Sequence, residues 1–491
     1  MKNNLQYLSA VELNRHFING DVRAADIAAY FLKRIEQHTP ALGAFLSAFP
    51  HRAIERAQEI DRKRSQDKPL GKLAGIPIAI KDNIHICNEI TTCGSKFLSH
   101  YRAPFDATVV RLLEEEDAII LGKTNLDEFA MGSSNENSAF FPAKNPWDLE
   151  CSPGGSSGGS AAAVSARLAL ISAGSDTGGS IRQPSSLCGI VGFKPTYGRV
   201  SRFGLVAFSS SLDQIGPLAT TVADAGLAME VIGRHCRRDA TSLPFSPESY
   251  LDALDHINMN EITFGVPWHF LQDLADEPRT NFSQAIEVLK ELGAKIIDID
   301  LDICKYSLAI YCILSTAEAS TNLARFDGVR FGQRSKEAKT LDNVYYLSRE
   351  NGFGSEVKKR IMLGTYVLSA GFQDAYYKKA QKIRALLVHA FVQAFDTCDA
   401  VLLPTAPSSA FKLGSIQDPL QMYLQDIFTV PANLAELPAI SVPSGFDRKG
   451  LPFGLQFVGP KFYDVPVMQY AHAYEKATLF TRKIPRSFEE P

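Results

Sequence analysis

Apolar positions along the chain follow two spacings. Ile27, Phe31 and Ile35 recur every four residues, as one helical face requires, and Ser9 followed by Glu12 has the spacing of a capping box. Residues 1–60 are therefore expected to form a helical layer. Farther on, short apolar and β-branched runs appear at Ile76 to Ile80, Ala118 to Leu121, Ile262 to Val266, Lys295 to Ile297, Val401 to Leu403 and Phe453 to Val458. Between two of them, Phe282, Ile286, Leu289 and Leu292 mark an amphipathic helix closed by Gly293. Strand-like runs alternating with helices predict an α/β fold around a central sheet. Residues from about 300 to 395 are more helical, with Tyr376 to Phe395 as one long helix, and are expected to cap the body. With no long linker, repeat or sustained heptad, residues 1–491 read as one large domain. Lys483 to Pro491 reads as a polar tail.

Composition narrows the setting. The 491 residues are 45% hydrophobic and 21% charged, with a formal charge of -3, which gives no global signal for nucleic acid. Eight cysteines lie far apart, none in a close zinc-type pair, so a reducing, cytoplasmic location is expected. No apolar core follows Met1 and no run of 18 apolar residues occurs, so neither secretion nor membrane insertion is expected. The ten histidines form no HExxH pair, and no metal site is expected.

Candidate chemistry lies in a small-residue tract. Gly154-Gly155-Ser156-Ser157-Gly158-Gly159-Ser160 begins like a flexible linker, but Ala161 to Leu170 contains no glycine or proline and favours a helix. Asp176-Thr177-Gly178-Gly179-Ser180 follows as a second loop. A serine hydroxyl needs a base to become a nucleophile, and neither His100 nor His235, the nearest histidines, lies in a recognisable motif. Lys81 ends the apolar run that begins at Gly75, where burial can keep an amine neutral. Ser180 is the candidate nucleophile, Ser156 a hydroxyl relay and Lys81 the base. The turn from Thr177 through Gly178 and Gly179 to Ser180 offers converging N–H groups for an oxyanion. Residue chemistry alone leaves rivals open: a plain loop for the tract, a solvated charge for Lys81, and a phosphate loop, which lacks its lysine here.

The joint wording, continuing through Ile181-Arg182, resembles the signature of the amidase-signature family of serine amidohydrolases. The resemblance implies an α/β fold whose central mixed sheet carries helices on both faces. It also implies a Ser-cisSer-Lys set on Ser180, Ser156 and Lys81, with a cis peptide between Gly155 and Ser156. Asp176 and Arg182 are expected to brace the nucleophile loop. Ser185 departs from the pattern, which commonly has alanine after the proline, with little consequence expected.

Lys194 to Leu205, Glu318 to Gly328 and Arg360 to Tyr366 are similar to the glutaminase subunits of tRNA-dependent amidotransferases within that family. Glutamine carries an α-carboxylate, which suits an arginine fork, and an α-ammonium, which suits a carboxylate. The resemblance puts these roles on Arg360 and Asp426, with Tyr311 lining the pocket. It further implies a heterotrimer with B and C subunits, in which ATP, Mg and the misacylated tRNA are handled mainly by B. The product would be Gln-tRNA(Gln) from Glu-tRNA(Gln), and in some cases Asn-tRNA(Asn) from Asp-tRNA(Asn). A stand-alone amidase acting on another small amide is the alternative. Lys378, Lys379, Lys382 and Arg384 form a basic cluster that reads as a solvated helix face.

Overall fold

In the computed structural model, which describes residues 4–489, eleven strands form one sheet. In chain order they are β1 (Phe45–Ala48), β2 (Pro77–Lys81), β3 (Ile119–Thr124), β4 (Ile171–Asp176), β5 (Val191–Lys194) and β6 (Gln214–Ala219). The remainder are β7 (Thr263–Val266), β8 (Lys295–Asp298), β9 (Ala400–Pro404), β10 (Ala439–Phe446) and β11 (Pro452–Val458). Their spatial order is β1-β3-β2-β4-β6-β5-β10-β11-β9-β7-β8. β2 runs parallel to β3 and β4, while β6 runs antiparallel to β4 and β5, so the sheet is mixed. Every residue of β2, β3, β4, β5 and β6 is buried. Successive side chains point to opposite faces of a strand, so burial of them all requires cover on both faces.

The six apolar runs all become strands, within one residue at each end except at β3, which continues three residues past Leu121. β1, β4, β5, β6 and β10 lack that signal. β4 reads Ile-Ser-Ala-Gly-Ser-Asp, weak in β propensity, and becomes a strand because β2 and β6 pair with its two edges. The Ser9 capping box forms, and the Phe282 helix spans Asp276–Glu291. The small-residue helix covers Gly158–Ser165 and ends before Arg167, whose φ is 54°. Among the described residues the N-terminal region holds three α-helices after a 3-10 turn at Leu5–Tyr7, with β1 inserted as the edge strand of the sheet.

Between 300 and 395 lie the Ser307–Asn322, Leu341–Gly352, Ser355–Leu368 and Lys379–Phe395 helices. The long helix expected from Tyr376 starts instead with a π turn over Asp374–Lys378. Part of the basic cluster is tied down: Lys378 pairs with Asp374, and Arg384 holds Leu434 O and Glu436. The tail is less polar in structure than in sequence. Ile484 and Phe488 are buried, and Arg34 donates to Phe488 O, so residues 483–489 pack on the body. Residues 1–3 and 490–491, the outermost positions of the expected helical layer and polar tail, lie outside the described residues.

Candidate active site

β2 and β4 are parallel neighbours, so their carboxyl ends open at the same edge of the sheet. Lys81 is the last residue of β2 and Asp176 the last of β4. Such an edge is where α/β sheets gather ligand-binding loops. Lys81 is fully buried, and its Nζ lies 2.8 Å from Ser156 Oγ, 2.8 Å from Ser157 Oγ and 3.3 Å from Ser175 O. Burial pushes the amine down to about 7, against the opposing pull of Asp127, Asp176 and Asp213. A neutral amine has two N–H groups and one lone pair. Ser175 O can only accept, and Ser157 Oγ donates its own proton to Ser175 O at 3.1 Å, so both can take N–H groups from Lys81. The lone pair is then left for the Ser156 hydroxyl.

The Gly155–Ser156 peptide is cis. A Cβ on Gly155 would lie 2.1 Å from Asp127 Oδ2, so only glycine fits beside that carboxylate. Asp127 is itself pushed up to about 6 by burial, while N–H donation from Asn135 and Asn137 acts the other way. Ser156 is sealed at 0% exposure, whereas Ser180 retains 7%. Ser157 N–H donates to Ser180 O at 3.2 Å, which joins the two loops. Among the described residues no hydrogen bond links the Ser156 and Ser180 hydroxyls. The structure thus joins Lys81 to Ser156 by side chain and brings Ser180 in through the backbone.

Asp176 organises the loop of residues 177–182. Its carboxylate accepts from Gly179 N–H at 2.9 Å and Ile181 N–H at 3.1 Å, and pairs with Arg182 at 3.0 Å. Arg182 continues to Thr429 O, Gln456 Oε1 and Asn433 Oδ1. Burial alone would raise Asp176, but Arg182 outweighs it and holds the acid at about 2. The Gly179 N–H, one of the expected oxyanion donors, is taken up by Asp176. The N–H groups of Gly178 and Ser180 have no acceptor among the described residues. Thr177 turns its hydroxyl to Asp213 at 2.7 Å. Gly179 has φ +140°, and a Cβ there would stand 2.1 Å from Thr429 Oγ1. Ser185 bonds Ile181 O at 2.7 Å and is absorbed within its helix.

The Tyr311, Arg360 and Asp426 side chains form the adjoining wall. Tyr311 presses on the same loop so closely that a Cβ on Gly178 would be 2.7 Å from its Cζ. Arg360 is buried, and its Nε donates to Glu356 Oε1 at 2.8 Å. Burial works against its charge, but Glu356 more than compensates and raises the guanidinium above its ordinary range. Its two Nη groups have no acceptor among the described residues, leaving a fork for a carboxylate. Asp426 Oδ2 accepts from Ser133 Oγ at 2.5 Å, while Oδ1 is buried without a partner. Burial pushes this acid up to about 7, with the Ser133 bond opposing. A cation at Oδ1 would satisfy it.

Ser157, Ser133, Glu356 and Tyr423 join the site without having been expected from sequence. Ser157 stands inside the motif, and Glu356 stands four residues before Arg360, where helical neighbours meet. Ser133 and Tyr423 carry no local signal. A groove of about 920 Å³ lies away from the site, between the Ala24–Leu42 helix and β1. Among the described residues no cluster of His, Cys, Asp or Glu is set to hold a metal, and no helix is long and apolar enough to cross a membrane.

A fully buried lysine against the hydroxyls of Ser156 and Ser157, with Ser180 on the adjoining loop, is a side-chain set that can activate a serine without histidine. The family model for amidases matches residues 26–468, and the chain belongs to the amidase-signature family. The chain is 58% identical over 482 residues to the A subunit of the glutamyl-tRNA(Gln) amidotransferase of Protochlamydia amoebophila, covering 98% of each chain. The crystal structure of the A subunit of the glutamyl-tRNA(Gln) amidotransferase from Thermotoga maritima matches with a TM-score of 0.79 at 42% identity, covering 96% of this chain and 95% of that one. A bacterial aryl acylamidase of the same family matches with a TM-score of 0.85 at 26% identity, covering 99% of both. Backbone likeness therefore does not separate the substrates of these relatives.

Proposed function

We propose that this protein is the glutamine-hydrolysing subunit of a tRNA-dependent amidotransferase. The observation that carries the reading is the 58% identity, over 98% of both chains, with the A subunit of such an enzyme. The wall supports it: the unspent Arg360 fork and the unpartnered Asp426 Oδ1 complement the carboxylate and ammonium of a free α-amino acid.

In the proposed cycle, Arg360 and Asp426 hold glutamine, with Tyr311 against the chain, and the side-chain carbonyl meets the N–H groups of Gly178 and Ser180. Ser180 attacks that carbonyl as Ser156 takes its proton and passes its own to Lys81, whose amine burial keeps near neutrality. The relay runs backwards to protonate the leaving nitrogen, and the C–N bond breaks to release ammonia. Water attacks the Ser180 ester in the same way and frees glutamate. Ammonia becomes ammonium in bulk water, so a productive enzyme passes it directly to a second site. That site belongs to the B subunit, which would use ATP and Mg to activate Glu-tRNA(Gln) or Asp-tRNA(Asn), with a C subunit completing the heterotrimer.

The test measures ammonia release from glutamine with and without added B and C subunits, and labels the assembled protein with an electrophilic glutamine analogue. Stimulated glutaminase activity and an adduct on Ser180 are expected. Rapid hydrolysis of aryl or aliphatic amides by the isolated chain, with no glutamine turnover in the complex, would establish the stand-alone amidase instead.

A further inference from the structure

The two charged anchors lie on separate segments, and one carboxylate oxygen joins them. Arg360 belongs to the Ser355–Leu368 helix, while Asp426 ends a turn, Leu424–Asp426, that directly follows the short Pro419–Tyr423 helix. Glu356 Oε1 accepts from Arg360 Nε at 2.8 Å and also from the Tyr423 hydroxyl at 2.8 Å. Its Oε2 pairs with Lys359 at 3.2 Å. The rings of Tyr423 and Phe208 lie 5.4 and 5.5 Å from the guanidinium carbon.

An ordinary ion pair four residues apart fixes nothing outside its own helix. Here the third partner, Tyr423, stands three residues before Asp426, so the bond through Glu356 ties the ammonium anchor to the carboxylate anchor. Burial opposes the charge on Glu356, but Arg360 and the Tyr423 hydroxyl prevail and hold it below the ordinary glutamate range. It is therefore a carboxylate able to accept from both.

We infer that Glu356 and Tyr423 are positioning residues that set the spacing between Arg360 and Asp426. They thereby select amides of α-amino acids over amides carrying only one of the two charges. The inference rests on the proposed reading of Arg360 and Asp426 as glutamine anchors. Two-point recognition requires both ends to be met at once, and freedom in their spacing must be lost again on binding. Holding Nε also leaves the two Nη groups free as a planar fork. A substrate that uses only the fork is indifferent to where Asp426 sits.

The discriminating pair is glutamine and glutaramate, the same amide acid without its α-amine. The full chain assembled with B and C subunits is assayed on both, as wild type, Tyr423→Phe and Glu356→Gln. Tyr423→Phe removes one hydroxyl and keeps the ring beside Arg360. It is expected to lower the glutamine-to-glutaramate preference in kcat/KM by roughly fivefold to tenfold, mainly through KM for glutamine. Glu356→Gln keeps an acceptor oxygen and is expected to shift the preference in the same direction. Equal losses on both substrates, as a merely structural role would produce, would overturn the inference, and so would an unchanged preference. A wild-type complex that turns over neither substrate removes the functional reading and the brace with it, before any variant is compared.

Discussion

The floor of the site and its wall are built on opposite plans. Every residue from 151 to 196, which includes both serine loops and β4, is buried. Charges there are answered internally, as Asp176 is by Arg182, Asn433 and backbone N–H groups. The wall helix Ser355–Leu368 buries Arg360 yet exposes Met362 at 72%, Leu363 at 44% and Tyr366 at 46%. Its inner groups keep hydrogen-bonding capacity unspent, at the Arg360 fork and at Asp426 Oδ1. A floor whose charges are held in place, and whose Gly178 and Ser180 N–H groups stay open, is preorganised for one reaction, because its dipoles need no rearrangement as charge develops. A wall with open partners chooses what arrives there. Damage to the floor should therefore lower turnover, and damage to the wall should relax choice.

The harshest trial of that division is Ser180→Ala, expected to reduce glutamine hydrolysis by about 10⁴-fold or more and to abolish acyl-enzyme in intact-mass measurements. Lys81→Ala, with the fold checked by circular dichroism, is expected to slow acylation by about 10³-fold. Near-normal acylation by that folded variant would remove Lys81 from the mechanism. Gly179→Ala probes shape alone: the new Cβ meets Thr429 Oγ1, and displacement of the loop should cost about 10²-fold in kcat. On the wall, Asp426→Asn is expected to raise KM for glutamine by roughly 10- to 100-fold with a smaller fall in kcat, read from steady-state kinetics. A large loss in kcat with unchanged KM would erase the distinction between floor and wall.

The mildest trial is pH. Lys81 must be neutral to accept a proton and Asp426 must be charged to hold an ammonium, and burial brings both groups to about 7. Lowering pH through 7 protonates each, so kcat/KM for glutamine should fall by more than about tenfold per pH unit. In Asp426→Asn only Lys81 remains, and the slope should relax to about tenfold per unit. A profile flat through neutral pH would show that neither group titrates as its burial implies.

What could be read from the sequence follows the range of the interaction behind it. The six apolar runs and the Ser9 and Phe282 helices were legible because side-chain periodicity is local. β4 was not, since a strand of small residues is held by its neighbours' hydrogen bonds. Glu356 was within reach, one helical turn from Arg360, whereas Ser133 meets Asp426 across a separation of 293 residues. The polar tail misled because Phe488 finds its place only against Arg34 and His38, at the other end of the chain.

By itself the sequence determined the class of chemistry, because the two serine loops and their glycines form a contiguous pattern with few other uses. It also determined the α/β order, which periodicity encodes locally. Only the tertiary structure decided that Lys81 reaches Ser156 and Ser157, that Gly179 N–H belongs to Asp176, and that one oxygen of Glu356 binds both Arg360 and Tyr423. Those outcomes depend on burial and on pairs far apart in the chain. Desolvation, which brings an ordinary lysine down to about 7, exists only once the chain has closed around it.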